Sequence, residues 1–387
     1  MVTGVARTVR IERMRNTDVG SDEIEQRKTD HLRLTATEDV SARTGAGWAD
    51  IRLLHEALPA TDLDAVDLRI PFLGRQLAAP LVIAGMTGGS AQGGDVNACL
   101  ARAAERYGLA MGTGSQRAAV RRPDLAGTYA IVREHAPTAF IIGNVGAPQL
   151  VRQGDQEPLS LEEIRAVLSA VRADALAIHL NFLQETVQPE GDRHAKGVLD
   201  AISSLVQALD MPIIAKETGA GFSRRSAQLL TGAGVAALDV GGLGGTTFAA
   251  VEGLRAAGQG DVRGACLGEV FREWGIPTAV SLAAAAPTGL PMIATGGIRT
   301  GLDAAKALAL GATAVGVARP LLQACLAGGD AAVNAWIEQF LAELRAALFL
   351  SGCRTPSDLR HGPRVLLGET REWFAQLGYL DEVLATA

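Results

Sequence analysis

From residue 80 onward, short aliphatic runs alternate with stretches of helical length. The runs are PLVIAGM (80–86), LAMGTG (109–114), FIIGNVG (140–146), ALAIHLN (175–181), PIIAKET (212–218), ALDVGG (237–242), PMIATGG (291–297) and AVGVAR (314–319). Each begins apolar and ends in glycine or a polar residue. Eight such strands in β–α alternation predict an α/β fold, a (β/α)8 TIM barrel. Between strands the period becomes helical, and Ser160 with Glu163 stands at capping-box spacing. Residues 302–310 predict a further helix, and 332–350 a long amphipathic one packed on the barrel or on a neighbouring subunit. Residues 57–77 read as a strand-and-turn preface, with Pro71-Phe72-Leu73-Gly74 as the turn. Residues 1–24 are polar without clear period and are expected to form a disordered or loosely attached extension, leaving 25–387 as a single barrel domain.

Composition narrows the function classes. The chain has 387 residues, 48% of them hydrophobic but only 4% aromatic, with 45 glycines. That suits closely packed helices on a parallel sheet. The net charge of −6 and the absence of a basic block argue against nucleic acid as a partner. The arginine pairs Arg121-Arg122 and Arg224-Arg225 read as solvated helix ends. Cys99, Cys266, Cys325 and Cys353 are far apart and form no CxxC pair, so they read as buried or half-buried thiols in a reducing compartment. No apolar run has signal-peptide or membrane-spanning character, which predicts a soluble, cytoplasmic protein.

In a barrel the chemistry sits where the strands end. The first tip is Gly85-Met86-Thr87-Gly88-Gly89, whose glycines would let backbone approach a flat ligand. The second offers Ser115, Gln116 and Arg117, and the third Asn144. The fourth is the richest: His179, Asn181, Gln184 and Glu185 follow an uncharged strand. His179 and Asn181 share a strand face, so both can point at one ligand. Glu185 offers a hard oxygen for Mg2+, which binds through one or two carboxylates plus phosphate oxygens; Glu190, Asp192 and Glu217 compete for that role. Lys216 ends the fifth strand and is a Schiff-base nucleophile, a charge aimed at a ligand, or a core lysine paired only for structure. The seventh and eighth tips, Gly296-Gly297-Ile298-Arg299 and Ala318-Arg319, match the phosphate site that barrels build after their last two strands. Upstream, Arg27, Lys28 and His31 place two cations and an imidazole within five positions: a solvated helix start, or a piece of the site.

These residues, in this order, resemble the type 2, flavin-dependent isopentenyl-diphosphate delta-isomerase family. The resemblance runs from about residue 27 to about 367 and rests on RKTDH, AGMTGG, GSQR, HLNFLQE with PEGDR, AKETGAG, DVGGLGGTTF and GGIRTGLDAAKALALGA. It implies a homo-oligomer (a tetramer or octamer) that interconverts isopentenyl and dimethylallyl diphosphate using FMN, Mg2+ and NADPH as reductant. It further implies that Arg27, Lys28, His31, Arg117, His179, Asn181 and Gln184 line the diphosphate substrate and that Glu185 holds the metal. FMN would lie against Ala84, Met86, Thr87, Ser115, Asn144, Lys216, Thr246, Gly296, Gly297, Ala318 and Arg319. The chemistry expected is acid–base transfer of a proton to the terminal alkene carbon and from C2, with reduced FMN as proton carrier and His179 and Gln184 in support. The segment 27–31 would fold over the mouth as a lid. The chain departs from the family at Gly241, where serine is common, and at His194, where an aromatic is usual.

Two other classes fit parts of the pattern. An FMN-dependent oxidoreductase of hydroxy acids or nucleotides would use the same glycines and Arg299, but its base is expected after a late strand, and no histidine lies between His194 and His361. A flavin-free barrel binding a phosphorylated metabolite would purify colourless.

Overall fold

A computed structural model describes residues 25–385. The proposed extension 1–24 lies outside the described residues. Eight parallel strands close into a barrel: β1 (Leu81–Ile83), β2 (Ala110–Gly112), β3 (Phe140–Gly146), β4 (Ala175–Leu180), β5 (Ile213–Glu217), β6 (Ala237–Asp239), β7 (Met292–Thr295) and β8 (Ala314–Val317). β8 pairs back onto β1, with Val315 opposite Leu81, so the barrel has no open edge. All eight strands expected from the aliphatic runs are present.

The side-chain period of two sorts each strand into two faces. Val82, Ala110, Phe140, Ile142, Ala175, Ala177, Ile214, Ala237, Ile293 and Ala314 pack together inside the barrel. Their neighbours, such as Leu81, Ile83, Ile141, Leu176, Ile178 and Val315, pack outward against the helices. The preface forms a hairpin, Ile70–Phe72 with Arg75–Leu77. Its turn residues Leu73 and Gly74 both have positive φ, 44° and 81°. A type I′ turn requires that sign at both central positions. Phe72 stands edge-on to Phe140, with 5.6 Å between ring centroids. The pair closes the end of the barrel where the strands begin.

The helices begin and end where the sequence signals them. Ser160 and Glu163 form the expected capping box at Leu161–Ala170, and Thr300 with Asp303 forms another at Gly301–Ala309. The long C-terminal helix starts earlier than its pattern suggests, running Arg319–Leu350 with non-helical backbone at Gly328 and Gly329. Residues 25–37 form a helix that packs Leu34 with Val40, Ala250 and Val251. The segment after it crosses the mouth: Ala42 donates to the Gly245 carbonyl and Thr247 to that of Val40. Ile51–Leu53 pairs with Arg364–Leu366 and ties the two ends of the described chain together. Cys99 and Cys353 are buried and Cys325 partly so; Cys266 is exposed, contrary to expectation, because it faces out from the helix Val262–Val270. Among the described residues no helix is long and apolar enough to cross a membrane.

Phe140→Ala should remove the ring that meets Phe72 and cost about 3–5 kcal/mol of stability, measured by denaturant unfolding. A loss below about 1 kcal/mol would show that the hairpin does not close the core.

Candidate functional site

Continuing each inward row by one step brings polar residues to the mouth. After Ile142 comes Asn144, after Ala177 His179, after Ile214 Lys216, after Ala237 Asp239 and after Ile293 Thr295. The period that fills the core with apolar side chains therefore also builds a polar layer above it. Over this layer lies a cavity of about 1560 Å³. Its wall includes Arg27, Lys28, His31, Arg117, His179, Asn181, Gln184 and Glu185. It also includes Ala84, Met86, Thr87, Ser115, Asn144, Lys216, Thr246, Gly296, Gly297, Ala318 and Arg319. Every residue that the resemblance implies for substrate, metal or cofactor borders this one space; Gln116 and Asp192 do not.

The tip of β4 turns at Asn181 into the short helix Phe182–Val187. Asn181 donates to Glu185 at 2.8 Å, and Glu185 also accepts from the Asp192 amide at 2.8 Å. Burial raises the Glu185 pKa above the usual carboxylate range. The Asn181 side-chain oxygen Oδ1 is buried and without a partner among the described residues. His179 Nδ1 lies 2.7 Å from Asn144 Oδ1, and Asn144 donates its amide to the Thr113 carbonyl. Burial, together with the positive charges of Lys28 and Lys216, pushes His179 down to about 3, so its imidazole is neutral.

The residue that sequence reasoning missed is Glu252, on the helix Phe248–Gly258. Its side chain is fully buried, and it accepts from Gln184 at 2.8 Å and from Arg255 at 3.1 Å. His31 Nε2 lies 2.8 Å from the same carboxylate. Burial alone would raise its pKa, but the His31, Gln184 and Arg255 partners outweigh this and hold it at about 2. Arg255 also donates to Glu190, at 2.5 Å, and Glu190 lies 3.8 Å from Arg27. A glutamate three residues before an arginine inside an otherwise apolar helix was the available signal. By this network the helix 25–37 is fastened over the mouth, with Arg27, Lys28 and His31 as parts of the site. Burial, with Arg27 and Arg117 close by, pushes the Lys28 ammonium down to about 7. Arg117 itself pairs with Asp192 at 2.6 Å.

The opposite side of the mouth is built from backbone. The amides of Gly296, Gly297, Ala318 and Arg319 donate to no acceptor among the described residues. Gly296 has φ 122°, and a Cβ there would run into the Gly242 carbonyl oxygen. Gly241, at φ 45°, would drive a Cβ into the Glu217 carbonyl oxygen, so this backbone has no room for a serine there. Free amides beside the start of a helix fit an anionic phosphate. Arg319 borders this seat, but its guanidinium donates to Ser41 Oγ at 2.8 Å and to the Glu38 carbonyl at 2.6 Å. The Thr87 hydroxyl donates inward to Asn97, leaving its backbone to the cavity. Gly88 borders the cavity and also makes room for packing, because a Cβ there would collide with the Tyr129 ring. For a metal, Glu185 stands without a cluster: no group of three or more His, Cys, Asp or Glu is arranged for an ion among the described residues. One carboxylate with substrate phosphates is a donor set that Mg2+ accepts.

A closed parallel barrel with free amides at its last two tips and a lysine at its fifth defines an α/β barrel that takes a phosphorylated cofactor at its mouth. The sequence pattern of FMN-dependent dehydrogenases matches residues 175–365. Isopentenyl-diphosphate delta-isomerase of Methanosarcina barkeri is 48% identical over 92% of this chain and 95% of its own length. The protein of the same name from Methanoregula boonei is 48% identical over 89% and 95%. The chain belongs to the type 2, FMN-dependent isopentenyl-diphosphate delta-isomerase family. A solved lactate oxidase from Pediococcus acidilactici shares the fold, with a TM-score of 0.63 at 14% identity over 90% of this chain and 94% of that one.

His179 stays neutral down to about pH 3, while an unfolded histidine takes up a proton near 6.5. It therefore favours folding fully above about 6.5 and progressively less as pH falls toward 3. Denaturant unfolding of His179→Asn should show a shallower loss of stability across that window. An unchanged slope would mean that the native ring is protonated.

Proposed function

We propose that the chain isomerises isopentenyl diphosphate to dimethylallyl diphosphate, with FMN reduced by NADPH and with Mg2+. The observation that carries this reading is the convergence of Arg27, Lys28 and Arg117, with the polar β4 tip, on one face of the cavity opposite the free amides. Two anion seats fit two ligands, a flavin phosphate and a substrate diphosphate. The amides of Gly296, Gly297, Ala318 and Arg319 would hold the flavin phosphate, with Ala84, Met86, Ser115, Asn144 and Lys216 along the ring. When bound and reduced, the flavin supplies a ring nitrogen able to exchange a proton beside the alkene.

The side chains set the conditions for that exchange. Lys28 and Arg27 neutralise the diphosphate, and its charge in turn favours the protonated Lys28 that burial disfavours. Glu185 offers Mg2+ its protein oxygen. Gln184 and His31, held by Glu252, face the substrate in fixed orientation. The lid keeps water from a tertiary cation formed when the terminal carbon gains a proton, before C2 loses one. Neutral His179 offers that cation an uncharged wall rather than a like charge.

The same reading carries with it a cytoplasmic setting and a homo-oligomer, as the family resemblance implies. An oxidoreductase reading is served less well, because the tips of β6, β7 and β8 carry no histidine to take a proton from a hydroxy acid.

Anaerobic protein given isopentenyl diphosphate, FMN, Mg2+ and NADPH should move the double bond, read by NMR, without NADPH use in step with product. Steady consumption of NADPH or O2 proportional to product would replace this reading with the oxidoreductase one. Glu185→Gln should remove the stimulation by Mg2+; full retention would place the metal elsewhere. Arg27→Ala should raise KM roughly tenfold while FMN stays bound, and equal loss of flavin would contradict a lid that touches substrate alone.

A further inference from the structure

Lys216 does not stand alone at the tip of β5. Asp239 is its register partner on the neighbouring strand β6. The ammonium lies 3.3 Å from Asp239 Oδ2, and the carboxylate side chain is only 7% exposed. Asp239 Oδ1 is buried and has no partner among the described residues. Against it, under the polar layer, is a void of about 20 Å³ lined by Asp239, Lys216, Asn144 and Thr113 among others. That is room for one water, and a buried carboxylate oxygen without a donor calls for one.

We propose that Asp239 is the positioning residue of Lys216, aiming its ammonium at the bound flavin, with one buried water completing the carboxylate from below. This rests on the reading that FMN lies over Lys216. A lysine side chain is a flexible stem with a freely rotating head. The ammonium also has another acceptor at hand, the Glu217 carbonyl at 3.2 Å. A charged partner across the strand selects one orientation. It also answers the burial of the ammonium, which an apolar neighbour would not. The water spares Oδ1 the cost of burial without drawing the carboxylate away from Nζ.

The sign of one measurement separates positioning from simple charge cancellation. Were Asp239 only to cancel the lysine, its removal would make the flavin seat more positive and tighten reduced, anionic FMN. If instead it aims the lysine, its removal weakens reduced FMN. The experiment is anaerobic titration of the full chain with oxidised and with reduced FMN, giving the ratio of the two Kd values. Asp239→Leu should shift that ratio against reduced FMN at least tenfold, about 30 mV for a two-electron couple. Asp239→Asn, whose oxygen still accepts from the ammonium, should hold the wild-type ratio or shift it the other way. Lys216→Met should match Asp239→Leu, and the double variant should add nothing. Asp239→Ser, too short to reach the ammonium, replaces the leucine variant if that does not fold. A ratio in Asp239→Leu equal to wild type or favouring reduced FMN overturns the proposal, as does a further loss in the double variant. If Lys216→Met itself changes nothing, the flavin does not lie over Lys216, and the reading of the site falls together with the proposal.

Discussion

A carboxylate with no exposed surface survives only if donors come to it. Glu252 meets this demand by drawing on three separate parts of the chain: His31 from the helix over the mouth, Gln184 from the turn after β4, and Arg255 from its own helix. None of these contacts is local except the last. The carboxylate therefore fixes where the first described helix sits, and with it Arg27 and Lys28. Remove the acceptor and the helix 25–37 loses one of its ties to the mouth, while Gln184 loses what orients its amide. The positions of His31 and Gln184 at the cavity wall are thus tied to this buried charge.

The mouth divides its electrostatic work between two kinds of donor. On the side of β7 and β8 the charges are partial and belong to the backbone, where free amides and a helix start face the cavity. On the lid side they are whole charges on side chains, and burial has made them costly: Lys28 is driven down to about 7. Fixed amides suit a cofactor that stays. Side chains on a separate helix suit a polyanion that must enter and leave, because its arrival relieves the burial cost and its departure restores it. The neutral His179 lies between the two regions and adds no charge to either.

The same barrel is shared with a solved chain at only 14% identity. The fold does not choose the reaction. The choice lies at the tips. Here the chemistry-bearing groups cluster after β4, and the β6 tip is a run of glycines from Gly241 to Gly245 interrupted by Leu243. Gly241 is bound to that run by backbone crowding, since any side chain there would enter the Glu217 carbonyl. The β5 and β6 tips approach each other so closely here that position 241 has no room for a side chain.

The sequence by itself determined the barrel. Its alternation of aliphatic runs and helical stretches is a local pattern, set by the strand and helix periods, and each strand was found where the pattern put it. It also placed the polar strand ends at the rim, since a polar residue ending an apolar strand must lie there. The capping boxes at Ser160 and Thr300 are local in the same sense. What only the tertiary structure decided is which distant residues share a contact. Glu252 is one glutamate among several until His31, 221 positions earlier, is folded onto it. Arg319 pairs with the segment at Ser41 although its position beside the free amides suggested phosphate. Gly88 makes room for Tyr129, 41 positions later. Such pairings depend on closing long loops and on filling space between elements, and no period along the chain encodes either.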